Sequence, residues 1–132
     1  MMPWWAVLVA PALDAPEAEA LLTEQLRQIE VTDERWFEAE LHRLTGERLL
    51  CLSAQEQPKA ESCFRRAIDI ARQQNARSWE LRAASSLARL WRDQGKWSKA
   101  RDLLAPVYGG FTEGFDTPDL KEAKALLDEL RQ

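Results

Sequence analysis

The chain has 132 residues, of which 45% are hydrophobic and 30% charged, and it contains five glycines and six prolines. This composition is typical of one folded domain over 1–132 and excludes a disordered chain, which could not bury enough apolar surface. The formal net charge is −4, so the chain as a whole repels phosphate groups and we expect no direct binding of nucleic acid.

The opening residues 1–11 are apolar, but neither Lys nor Arg precedes Arg27, so the basic segment that begins a signal peptide is missing. The apolar run is also shorter than the roughly 20 residues that cross a bilayer. We therefore expect no membrane partner and a weak first helix over 3–11. We also expect a cytoplasmic protein in which Cys51 and Cys63 stay reduced.

Apolar residues then recur every three or four positions, and no long stretch alternates as a strand would, so the sequence predicts an all-α fold. Asp33 is the expected N-cap of one helix, because its carboxylate can accept from the free N–H groups of the first turn. The helices predicted after the weak first one run over about 14–29, 33–52, 58–74, 77–93, 97–107 and 117–131.

The predicted helices repeat in pairs. Arg35-x-Phe37-Glu38 recurs 42 residues later as Arg77-x-Trp79-Glu80, Gly46 recurs as Ala88, and Ala60-x3-Phe64-x2-Ala67 recurs 40 residues later as Ala100-x3-Leu104-x2-Val107. Ala18-x3-Leu22 supplies a further copy of the second-helix pattern. Self-similarity at this period indicates a repeat array, in which each helical hairpin buries its apolar face against its neighbours. We expect the small residues to mark the closest helix contacts.

The last predicted helix has the features of a cap for such an array. Thr117 is its expected N-cap, and Pro118 suits the first helical position, where its missing N–H is not needed. The apolar residues form one stripe, which consists of Leu120, Ala123, Leu127 and Leu130. This helix would cover the apolar surface that the final hairpin otherwise exposes.

The chain resembles tetratricopeptide-repeat (TPR) proteins, since small and large residues of that motif occur at Leu87, Ala88, Trp91, Gly95, Ala100 and Leu104. The resemblance implies about three TPR-like helical hairpins, over about 3–30, 33–74 and 77–107, with the first one truncated and a capping helix over 117–131. It also implies a noncatalytic protein–protein interaction module that binds a peptide or a neighbouring domain along its concave face.

Three segments resemble, more narrowly, the C-terminal repeat region of large bacterial signalling proteins: Glu34-Arg35-Trp36, Glu40-Leu41-His42-Arg43-Leu44 and 111–120. Those proteins place a cyclase-like or DNA-binding output domain and an NTPase domain ahead of the repeats. The alternative function is therefore a regulatory fragment that acts by docking to such domains. The chain itself has no Gly-x4-Gly-Lys-Ser/Thr loop, so the resemblance carries over no nucleotide chemistry.

In TPR arrays the first helix of each pair lines the concave groove, which here implies Glu40, Arg43, Glu47 and Leu50 from one repeat and Arg82, Ser85, Arg89 and Arg92 from the next. The arginines of the second repeat are spaced by seven and three residues and share one helical face. Because guanidinium groups bind carboxylates bidentately, this stripe could hold an acidic peptide segment. The alternative is that these arginines only pair internally, with Glu38, Glu40, Glu47 and Asp93.

Catalytic residues, metal ligands and cofactors are not expected. The only histidine, His42, has a helix-packing position, and with the separated Cys51 and Cys63 it forms no metal-ligand spacing. Cys51 is expected to pack against neighbouring residues. The carboxylates expected on exposed, solvated helical faces are Glu17, Glu19, Glu34, Glu38 and Glu40.

The six tryptophans divide into two groups. Trp91 and Trp97 occupy large-residue positions of the motif and Trp36 and Trp79 lie at helix starts, so all four are expected to pack within or between repeats. Trp4 and Trp5 belong to the truncated first helix. Their exposed aromatic surface predicts either self-association or contact with an upstream domain.

Overall fold

The computed structural model describes residues 16–32 and 37–131. They form six α-helices: α1 Pro16–Thr32, α2 Glu38–Leu52, α3 Gln57–Gln73, α4 Arg77–Asp93, α5 Trp97–Gly109 and α6 Pro118–Leu130. A short 3-10 helix, Ala54–Glu56, joins α2 to α3. This part of the chain contains no strand, so the predicted all-α fold is confirmed. The helix predicted over 3–11, with Trp4 and Trp5, and also Trp36 lie outside the described residues.

The helix bounds agree with the prediction to within three residues except at the start of α2. The structure begins α2 at Glu38 and gives the N-cap position to Phe37, with no side-chain hydrogen bond to the first turn. The prediction that Asp33 caps this helix is therefore wrong, and Asp33 itself lies outside the described residues. Thr117 does occupy the N-cap position of α6, but its hydroxyl donates to the Gly114 carbonyl at 2.7 Å instead of accepting from the helix.

Consecutive helices pack against one another along the chain from α1 to α6. In addition α4 contacts both α2 and α6, while α3 and α5 make no comparable contact. Alternate helices α2, α4 and α6 therefore lie side by side in one layer. This arrangement brings residues of three separate helices to one surface of the protein.

The burial of equivalent residues follows the internal repeat. Gly46 is buried in α2, and Ala88, 42 positions later, is fully buried in α4. Ala60 in α3 and Ala100 in α5 are both fully buried as well. The large residues of the pattern, Leu22, Phe64 and Leu104, are buried in α1, α3 and α5. All four small residues are therefore buried, and Gly46 lies directly against the ring of Phe64 on α3.

Two tight turns reverse the chain between the helices. Asn75 after α3 and Gly95 after α4 have positive φ angles of 54° and 80°. In each turn the next N–H donates back to a carbonyl five residues earlier, Ala76 to Ala71 and Lys96 to Trp91, both at 2.8 Å. These bonds satisfy carbonyls at the helix ends in the manner of a Schellman motif. The glycine turn predicted between α4 and α5 is present.

Helix α6 covers the open side of the last hairpin, as the sequence predicts. It packs against both α4 and α5, and its buried residues are Leu120, Ala123, Leu126, Leu127 and Leu130. Its Lys, Asp and Glu residues other than Asp119 are exposed. A helix of this kind ends the core with a polar outer surface.

The tryptophan predictions are only partly correct. Trp91 is 4% exposed and belongs to the main core, and Trp79 is partly buried against Ala39, Ile70 and Ala71. Trp97 is 38% exposed, so its predicted role as a large packing residue is wrong. It is the first residue of α5, and no preceding helical turn covers its ring.

Gly46→Ala tests the closest contact of the fold. A Cβ atom at Gly46 would lie 2.6 Å from Cε1 of Phe64, whose ring is fully buried. We expect overpacking of about 1–3 kcal/mol to exceed the gain of about 1 kcal/mol in helix propensity. Urea unfolding measures the difference. The matched control is Gly109→Ala in α5, where a Cβ would meet nothing within 4 Å; an equal effect of both substitutions would contradict the proposed contact.

A candidate protein-binding face on α2, α4 and α6

The residues predicted to bind a partner lie on α2 and α4, and the structure places α6 beside α4. We call the surface formed by these three helices the α2–α4–α6 face. Of the predicted residues, Arg43 and Glu47 lie on α2, while Arg82, Ser85, Arg89 and Arg92 lie on α4. A third set of charged residues on this face, which the sequence does not predict there, comes from α6.

Glu40 is the centre of a buried charge cluster on this face. The residue is 1% exposed, and its carboxylate accepts hydrogen bonds from Nε of Arg43 at 3.0 Å and from Nη2 of the same side chain. Nη2 of Arg82 lies 3.3 Å away. The prediction that Glu38 and Glu40 lie on exposed faces is wrong, because both residues are buried and Glu40 lies against Arg82 of α4.

Arg43 links the charges of all three helices. Its guanidinium donates to Oγ of Ser86 on α4 at 3.3 Å and lies 3.8 Å from the Glu47 carboxylate. Burial alone would lower the pKa of Arg43, but the carboxylates of Glu40, Glu47 and Asp119 outweigh burial and raise it. Arg43 therefore remains charged although it is mostly buried.

The arginines of α4 contact carboxylates of α6. The distances are 3.6 Å from Arg82 Nε to Asp119, 3.8 Å from Arg89 Nη2 to Glu122 and 3.0 Å from Arg92 Nη1 to Glu129. The sequence indicates that these three carboxylates share one side of α6, since they are spaced by three and seven residues. Only the packing of α6 against α4 shows that the two charged stripes meet.

The carboxylates of this face outnumber the four arginines that it contains. Four arginines, Arg43, Arg82, Arg89 and Arg92, lie within 4.0 Å of six carboxylates, those of Glu40, Glu47, Asp93, Asp119, Glu122 and Glu129. The alternative to peptide binding is that the arginines pair within the protein, and two of those predicted ion pairs are present: Arg82 with Glu40 and Arg92 with Asp93. Any acidic partner must therefore compete with carboxylates of the protein itself.

A cavity of about 490 Å³ between α4 and α6 keeps part of the arginine stripe accessible. It is lined by Arg89, Arg92, Glu122, Ala125, Leu126 and Glu129. The side chains of Arg89 and Arg92 are 37% and 26% exposed, so a ligand in the cavity could reach both guanidinium groups.

Two other residues predicted on the groove contribute to packing instead. Ser85 is 4% exposed, and its hydroxyl has no hydrogen-bond partner among the described residues. The prediction that Ser85 lies on the binding surface is therefore wrong, because its position on α4 turns it into the helix interface. Leu50 is partly buried and packs against the main hydrophobic core.

The remaining reactive side chains are dispersed. His42 is largely buried on α2, with Nε2 3.8 Å from Glu38. Burial lowers the pKa of His42, nearby Arg66 lowers it further, and Glu38 opposes both effects. Cys63 is partly buried, which raises the pKa of its thiol. Cys51 is exposed at the end of α2, so the prediction that it packs is wrong.

Within residues 16–32 and 37–131, no group of three or more His, Cys, Asp or Glu side chains could hold a metal ion. No helix in the same ranges combines the length and apolar character needed to cross a membrane. Comparison with protein-family models, curated proteins and solved structures finds no match to this chain.

The lowered pKa of His42 predicts a specific pH dependence of stability. The unfolded chain binds more protons than the folded chain just below the ordinary histidine pKa, so the free energy of unfolding should fall as pH decreases below about 6.5. His42 is the only histidine, and His42→Gln should make this dependence shallower between about pH 7 and pH 5.5. Urea unfolding at several pH values measures both slopes; identical slopes would contradict the prediction.

The buried position of Glu40 predicts a large effect of its removal. Glu40→Ala leaves the mostly buried Arg43 without its main partner, and breaking a buried ion pair typically costs about 3–5 kcal/mol. The matched control is Glu122→Ala, which removes a carboxylate that is 67% exposed and should cost less than about 1 kcal/mol. Chemical denaturation compares the two variants, and similar small losses would show that the Glu40 cluster adds little to stability.

Proposed function

We propose that the protein is a noncatalytic, TPR-like interaction module that binds an acidic polypeptide segment on the α2–α4–α6 face. The observation that carries the proposal is the cavity between α4 and α6, in which Arg89 and Arg92 remain accessible. A helical layer with polar groups from several helices offers an extended surface of the kind that repeat proteins use for binding. Arginine is suited to such a site because its planar guanidinium can hold a carboxylate through two hydrogen bonds.

On binding, carboxylates of the partner would replace the carboxylates of α6 that contact the arginines. In the free protein, Glu122 and Glu129 contact Arg89 and Arg92 at 3.8 and 3.0 Å. Both carboxylate side chains are largely exposed, at 67% and 47%, and exposed ion pairs of this type are worth only about 0–1 kcal/mol. An acidic segment can therefore replace these contacts at small cost. Binding would weaken as salt screens the exchanged charges.

Neutral substitutions on the two sides of the cavity test this function. The probe is a short fluorescein-labelled peptide of glutamates with one central tryptophan. Arg89→Gln with Arg92→Gln should weaken binding about tenfold or more, which corresponds to about 1.4 kcal/mol. Glu122→Gln with Glu129→Gln removes the internal competitors and should strengthen binding. Fluorescence anisotropy measures both affinities.

The matched control is Lys59→Gln with Lys96→Gln, which neutralises two exposed lysines elsewhere on the protein. It should leave the affinity close to that of the unmodified chain. Circular dichroism and thermal melting confirm that each variant keeps its helices. If the arginine and glutamate variants both bind like the control, the arginines serve only as internal ion-pair partners and the proposed site is wrong.

A further inference from the structure

A second cavity lies on the other side of α6, between that helix and the loop that precedes it. Its volume is about 590 Å³. It is lined by Tyr108, Phe115, Lys121, Lys124, Ala125 and Asp128. We call this surface the aromatic–lysine groove.

The loop before α6 holds an aromatic ring at the surface. Phe115 is 46% exposed and its ring lies 5.9 Å from that of Tyr108, at an interplanar angle of 58°. Gly114 has a φ of 77°, a conformation that favours glycine. Thr117 donates to the Gly114 carbonyl from its backbone N–H at 2.9 Å and from its hydroxyl at 2.7 Å. These bonds position Phe115 before any partner arrives.

The charges of the groove differ from those of the arginine stripe. Lys121 and Lys124 are exposed, and within the described residues neither has a carboxylate within 4.0 Å. The acidic residue of the groove, Asp128, lies 4.0 Å from Arg131 at the helix end. Two unneutralised ammonium groups beside the exposed ring of Phe115, which is backed by the partly buried ring of Tyr108, complement a ligand that combines carboxylates with an apolar side chain.

The two cavities meet at Ala125. This exposed residue of α6 lines both the aromatic–lysine groove and the cavity that contains Arg89 and Arg92. Its small side chain leaves room for a polypeptide to cross the helix. A single extended segment could therefore reach cationic groups on both sides of α6.

We propose that the acidic segment bound by this module crosses α6 at Ala125 and places an aromatic or large apolar side chain against Phe115 and Tyr108. Its carboxylates on that side contact Lys121 and Lys124. This inference rests on the proposed function, because it extends the same bound segment from the arginine cavity into the aromatic–lysine groove. The partner segment would therefore contain acidic residues on both sides of an apolar one.

The test uses the full chain and the labelled glutamate peptide with one central tryptophan. Lys121→Gln with Lys124→Gln should weaken binding about tenfold, and Phe115→Ser should weaken it as well. A matched peptide with glycine in place of tryptophan should bind the unmodified chain more weakly. The control is again Lys59→Gln with Lys96→Gln, which should leave binding unchanged.

The outcomes separate the two proposals. Loss of binding in the lysine pair and in Phe115→Ser supports the groove, while retention in both, with loss only in the arginine pair, overturns the groove and leaves the proposed function in place. Equal binding of the tryptophan and glycine peptides also overturns the aromatic contact. An oligonucleotide of equal charge that binds as tightly as the peptide overturns the assignment of a polypeptide partner. If the unmodified chain binds no acidic peptide, both proposals are wrong.

Discussion

The close contact between Gly46 of α2 and the ring of Phe64 of α3 is the constraint on which the rest of the structure depends. A Cβ at this position of α2 would lie 2.6 Å from the ring, so any residue larger than glycine would force the ring or the helices to move. Each residue of a helix is rotated by 100° from the previous one. With Gly46 facing α3, Glu40 lies six residues earlier and about 240° around the helix, on the side that contacts Arg82 of α4.

The charge cluster around Glu40 follows from that orientation. A carboxylate that is 1% exposed must have compensating partners, because the cost of removing a charge from water is several kcal/mol. Arg43 and Arg82 supply these partners from α2 and α4. The cluster thus joins α2 to α4 through charges.

Helix α6 has two roles that need different sides of the same helix. Its leucines and Ala123 complete the core, whereas Asp119, Glu122 and Glu129 neutralise the arginines of α4. The second role makes α6 an internal occupant of the surface that an acidic partner would use. Under the proposed function, this weak and exposed internal contact favours partners that offer more carboxylates or an additional apolar contact.

The sequence by itself determined the all-α fold, most of the helix bounds and the burial of the small residues, because periodicity and residue size are local properties. It correctly predicted that Ala60, Ala88 and Ala100 are buried and that the apolar stripe of α6 faces the core. Tertiary structure alone decided which charged residues are buried, since Glu40 and Glu122 look alike in sequence. Their environments differ because α4 covers the first and solvent covers the second. Electrostatics depends on distances between helices, and those distances exist only after the helices pack.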